Sequence, residues 1–139
     1  MSALAPWLVA ASAAIVLLLG LAHLLFTFRG PKLLPRDPAL LARMREVSPV
    51  ITRQTTMWKA WIGFNASHSY GLILFGAVYG ELALAHGDVL FGSVFLLALG
   101  LVLLLGYVVL AGRYFFRTPL LGVVLATVLY VAALIAARA

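Results

Sequence analysis

Apolar residues run almost without interruption over four stretches of the chain, at about 4–28, 58–84, 89–111 and 119–136, with polar residues gathered between them. Each stretch reaches or approaches the roughly 20 residues that a helix needs to cross the hydrocarbon of a bilayer. A helix satisfies its own backbone hydrogen bonds there, so the pattern predicts an all-α integral membrane four-helix bundle over residues 1–139, as one membrane domain. Arg29-Gly30-Pro31 ends the first stretch through charge, backbone freedom and a missing amide proton. That stretch has no basic region before it and is too long for a signal-peptide core, so the expectation is a retained span. His86-Gly87-Asp88 leads into the third stretch, with Asp88 as its expected N-cap, and Thr118-Pro119 supplies an N-cap and first helical position for the fourth.

The join between the first two stretches carries a pattern of its own. Asp37-Pro38 is a helix start, and Leu40, Leu41, Met44 and Val47 recur on one side while Arg43, Arg45 and Glu46 face elsewhere. Segment 37–47 is therefore expected to be a short amphipathic helix on the cytoplasmic membrane surface. Ser48-Pro49 reads as a second start, which would begin the second span as a solvated helix below the membrane.

Composition strengthens the membrane reading. Of 139 residues, 65% are hydrophobic and only 10% charged, against roughly 25% charged in soluble domains. The net charge of +6 does not point to nucleic acid, because of where the charges sit. Arg29, Lys32, Arg36, Arg43, Arg45, Arg53 and Lys59 belong to the first join, and Arg113 and Arg117 to the third. Those joins share one face, while Glu81, His86 and Asp88 occupy the other. The positive-inside rule then puts both basic joins in the cytoplasm and both termini outside. Trp7, Trp58 and Trp61 suit interfacial anchors. Cysteine is absent, which excludes thiol redox chemistry, disulfides and thiolate metal sites.

The chemistry on offer is histidine inside apolar stretches. His23 lies six residues inside Arg29 and His68 seven residues inside Trp61, so at 1.5 Å per residue both sit roughly 9–11 Å deep. Antiparallel neighbours would bring the two rings to one site. Asn65 and His68 are one turn apart, and Trp61, Asn65, His68, Ser69, Leu72, Gly76 and Gly80 share a stripe. On the first span Ser12, Gly20, His23 and Thr27 share a face. Spans three and four supply Ser93, Gly100 and Tyr107, and Gly122, Ala126 and Tyr130, so each helix has a small-and-polar seam suited to close packing.

Three readings of the cluster stand open. It could be a polar knot that fixes helix register, with Asn65, Thr27 and Ser69 satisfying neutral rings. It could be a pocket, formed by His23, Thr27, Trp61, Asn65, His68 and Ser69, for the polar head of a quinone, sterol-like or isoprenoid compound, with Trp58, Trp61, Phe64 and Tyr70 lining its apolar part. Or His23 and His68 could be the axial ligands of a haem b, with Arg29, Lys59 or Arg117 for its propionates. A small membrane enzyme with His68 as acid or base is a further alternative, although no nucleophile–base–orienter set is evident. Glu81, His86 and Asp88 could gather a divalent cation, but their spacing matches no motif with a mechanism, and no metal site is expected.

Gly20-x-x-His23-Leu24 followed by Trp61-x-Gly63-Phe64-Asn65-x-Ser67-His68-Ser69 resembles a set of small bacterial four-span inner-membrane proteins without assigned function. The resemblance covers nearly the whole chain and implies a multi-pass protein of the bacterial inner (cytoplasmic) membrane. It brings no chemistry with it. The carboxylate-bearing spans of sterol-binding and small multidrug families are absent, as is the Arg/Asn/Glu pattern of glutathione-dependent membrane enzymes. The expectation is a non-enzymatic membrane protein that binds a lipid-soluble molecule, or serves a larger membrane complex or homo-oligomer, through the His/Asn pocket. Its partners would be membrane lipid and not nucleic acid.

Overall fold

The computed structural model describes residues 3–138, which form six helices and, among the described residues, no strand. They are α1 (Leu4–Phe28), α2 (Pro38–Glu46), α3 (Met57–Ala85), α4 (Gly87–Gly92), α5 (Val94–Tyr114) and α6 (Arg117–Ala136). By length and composition α1, α5 and α6 are able to cross a membrane. With 29 residues α3 is longer than any of these. Its polar residues Asn65, Ser67, His68, Ser69, Tyr70 and Glu81 hold its hydropathy below theirs.

Local chemistry explains most of the boundaries, including those that depart from the sequence pattern. Gly30 takes φ of 81°, a left-handed conformation that glycine adopts without a Cβ penalty, just past the end of α1. Asp37 Oδ1 accepts from Ala39 N at 2.9 Å, and Pro38 holds the first helical position of α2. The expected start at Ser48-Pro49 does not form. Thr52 N donates to Pro49 O at 3.2 Å and Gln54 N to Thr52 Oγ1 at 3.1 Å, so side chain and backbone close local turns instead. The helix waits for Thr56, whose Oγ1 accepts from Lys59 N at 3.3 Å.

The expected third span at 89–111 is split. Ser93 leaves the helix with φ −107° and ψ 104°, and its side chain accepts from Leu96 N at 3.2 Å, so it caps α5. Glycine followed by serine is a weak point in a helix, because one costs backbone entropy and the other offers the backbone a competing partner. Asp88 lies in the first turn of α4 and is not the N-cap of the long helix; His86 precedes α4 and makes no capping bond with its side chain. α6, which replaces the expected fourth stretch, begins at Arg117, with extended Phe116 before it, and Thr118 is inside the helix instead of capping it. Pro119 tolerates this because it stays in the first turn, where its missing N–H has no partner to lose.

The described residues form two compact units. The first comprises residues up to 19 together with 72–139. Its core is Val9, Ala13 and Val16 of α1, Leu72, Phe75, Tyr79 and Ala83 of α3, Leu90, Leu104, and Ala126, Tyr130 and Ala133 of α6. These recur every three or four residues, so each helix turns one stripe inward. Small residues let backbones approach: a Cβ on Gly76 would lie 2.6 Å from Leu17 Cβ and 2.7 Å from Ala13 O. Buried polar groups tie the helices together. Ser12 Oγ donates to Ala126 O at 2.7 Å, Tyr79 Oη to Leu96 O at 2.7 Å and Tyr130 Oη to Leu97 O at 3.2 Å.

The second unit, residues 20–71, holds the last third of α1, the basic connection with α2, and the first half of α3. α2 buries none of its residues. The connection is tied to the helices through rings: Trp61 Nε1 donates to Leu33 O at 3.1 Å, the Arg45 guanidinium lies 5.7 Å from the Trp58 ring centre, and Lys32 Nζ lies 3.7 Å from that of Phe26. Met57 N donates to Val47 O at 2.8 Å, closing the segment between α2 and α3.

Candidate functional site

All six residues singled out in the sequence fall in the second unit. α1 supplies His23 and Thr27, one helical turn apart, and α3 supplies Trp61, Asn65, His68 and Ser69. His23 Nε2 and Asn65 Oδ1 are 3.1 Å apart, and the His23 and His68 rings are 5.4 Å between centres at an interplanar angle of 85°, an edge-on contact. His23, Asn65 and His68 are each half-buried, whereas Thr27 and Ser69 are buried. The two helices thus present imidazole, amide and imidazole side by side at a partly open surface.

The remaining polar groups hold this arrangement in place. Asn65 Nδ2 donates to Trp61 O at 2.8 Å, Ser69 Oγ to Asn65 O at 2.9 Å and Thr27 Oγ1 to His23 O at 2.8 Å. The Thr27 and Ser69 hydroxyl hydrogens therefore turn back on their own helices. The Trp61 indole hydrogen is engaged by Leu33 O, while the residue is 42% exposed. Leu33 was not visible as a partner in the sequence, since a backbone carbonyl in a connection leaves no residue-type signal. Of the aromatics expected to line an apolar wall, Trp58 is half-buried, but Phe64 and Tyr70 are 75% and 64% exposed and close nothing off.

No family model, curated protein or solved structure matches this chain. The chemistry of the site therefore rests on its own geometry.

A haem does not fit these residues as they stand. Two axial imidazoles, each bonded at about 2 Å and each with its own ring radius, put ring centres about 6 Å apart with a macrocycle between them. The His23 and His68 rings are closer than that and touch edge-on, and His23 Nε2 faces Asn65. Elsewhere, His86 Nε2 and Glu81 Oε1 lie 3.7 Å apart, both exposed, and Asp88 does not join them; among the described residues no three ligand-type side chains gather.

One cavity lay outside the sequence reading. A groove of about 500 Å³ in the first unit is lined by Phe91, Val94, Leu97, Leu101, Leu134 and Arg138, among others. Its lining is apolar but for Arg138, so residue type gave no signal against the surrounding apolar runs. It offers space and little that would discriminate between occupants.

Proposed function

We propose that the chain is a four-span protein of the bacterial inner membrane, with α3 as its fourth crossing, both termini outside and α2 resting on the cytoplasmic leaflet. The family resemblance in the sequence belongs to the same reading. Nine of ten basic residues lie in or beside two joins, and no residue of α2 is fully buried within the chain. The polarity of α3 fits a helix that serves a site, since polar side chains within a span are costly and mark interior or functional positions.

Within that frame the protein binds the polar head of a lipid-soluble molecule at His23, Asn65 and His68, alone or as part of a membrane assembly. The observation that carries this is the juxtaposition of the two rings and the amide on a half-open face. A knot serving only helix register is best closed, because every group then finds a partner inside. The half-exposed His23 ring and Asn65 amide leave hydrogen-bonding capacity for a visitor at membrane depth.

Two experiments test the reading. The chain has no cysteine, so single cysteines report sidedness directly. Asp88→Cys should react with a membrane-impermeant maleimide in intact spheroplasts, and Thr52→Cys and Thr118→Cys only after lysis. Labelling of Thr52→Cys and Asp88→Cys from the same side means that α3 does not cross. For the pocket, a geranylgeraniol analogue carrying a diazirine should crosslink to the full-length protein within residues 57–71. His68→Ala, checked for unchanged helicity, should lose most of that label. Labelling spread evenly over α5 and α6, or undiminished in the variant, removes the pocket.

A further inference from the structure

The hydrogen bonds around Asn65 fix which atoms of Asn65 and His23 are donors. Trp61 O is a backbone carbonyl and can only accept, so the Asn65 atom 2.8 Å from it is the amide nitrogen. The other end of the amide, Oδ1, therefore faces His23 Nε2 at 3.1 Å. Oδ1 also only accepts, so Nε2 carries the hydrogen. In the uncharged ring the second nitrogen, Nδ1, then bears a lone pair. Nδ1 makes no hydrogen bond to any described residue. No buried side-chain nitrogen or oxygen lacks a partner among the described residues, so Nδ1 is open to whatever covers the half-buried ring. Meanwhile the hydroxyl hydrogens of Thr27 and Ser69 and the indole hydrogen of Trp61 are engaged.

We infer that the chain Trp61 O, Asn65 amide, His23 imidazole locks His23 as its Nε2–H tautomer, and that the bare Nδ1 selects amphiphiles with a hydroxyl head over their ether or carbonyl counterparts. This rests on the pocket reading above and narrows it. A hydroxyl donates into the Nδ1 lone pair. An ether or carbonyl oxygen brings a second lone pair to the same point and is repelled. The ligand class is thus an isoprenoid alcohol, a sterol or a quinol, and not a quinone.

The test uses the full chain in lipid nanodiscs with nitrogen-15 histidine, at about pH 8 so that ordinary imidazoles are uncharged. The probes are geranylgeraniol and geranylgeranyl methyl ether, which differ at the head alone. The His23 signals are identified by their loss in His23→Gln. The free protein should show His23 protonated at Nε2 and bare at Nδ1. The alcohol should move the Nδ1 resonance and bind about fivefold tighter than the ether, as one net hydrogen bond allows. Asn65→Leu removes the lock and should abolish that discrimination. A hydrogen on Nδ1 in the free protein overturns the tautomer assignment, and equal binding of the two probes overturns the selection while leaving the pocket standing. Binding of neither probe sinks the pocket and the selection together. Should Asn65→Leu fail to fold, the wild-type comparison of the two probes decides by itself.

Discussion

Gly76→Leu should destabilise the protein by about 3 kcal/mol, the upper part of the usual range for overpacking. The reason is the identity of the atoms that a side chain would strike. A Cβ at position 76 lies 2.6 Å from Leu17 Cβ, 2.7 Å from Ala13 O and 2.8 Å from Leu17 N. Two of these are backbone atoms of α1, so no rotamer change relieves the contact, and α1 and α3 must move apart at the centre of the first unit. Reversible unfolding in mixed SDS and mild-detergent micelles reads the loss. Gly63 is the matched control, because nothing lies within 4 Å of a Cβ built there. Gly63→Ala should be neutral, or stabilising by up to about 1 kcal/mol through helix propensity. Similar stabilities for the Gly76 and Gly63 variants would remove the close approach from the account of the fold.

The second large effect is expected at Tyr130, which is wholly buried. Its ring stands 6.0 Å from that of Tyr79 at 71° and fills the space that Gly100 leaves, where a Cβ would lie 2.7 Å from Tyr130 Cζ and 2.7 Å from Tyr79 Cε1. Tyr130→Ala empties that space and should cost about 3–5 kcal/mol, as for other buried aromatic truncations. Tyr130→Phe keeps the ring and loses only the bond to Leu97 O; hydrogen bonds between membrane helices average about 0.6 kcal/mol. The ratio between the two variants, measured by the same unfolding titration, separates packing from hydrogen bonding. A phenylalanine variant as unstable as the alanine one would put the weight on the hydroxyl instead.

The meeting of His23, Asn65 and His68 is legible in the residue pattern. His23 and His68 stood at matched distances from the ends of two consecutive apolar stretches, and Asn65 stood one turn from His68. Helical periodicity then left few other places for them to meet. What the residue pattern could not supply was the direction of the hydrogen bonds. Whether the Asn65 amide turns its nitrogen to Trp61 O or to His23 depends on which atoms come within reach, and so does the tautomer that follows. The same limit applied to the aromatics. Phe64 and Tyr70 are near the site in sequence, but helical geometry turns them to exposed positions.

Residue order alone determined that the chain is helical, where its apolar stretches lie, and where α1 and α2 end or begin, because those features follow from burial cost, glycine and proline geometry, and side-chain caps. Local capping that residue type left ambiguous broke the third stretch at Ser93, whose hydroxyl accepts from Leu96 N, and began α6 two residues early after extended Phe116. Tertiary structure decided the rest. It set Gly76 against the α1 backbone and filled the place of the missing Gly100 side chain with two tyrosine rings. Periodicity names the face that a helix turns inward. Which atoms meet there is settled only when two faces come together.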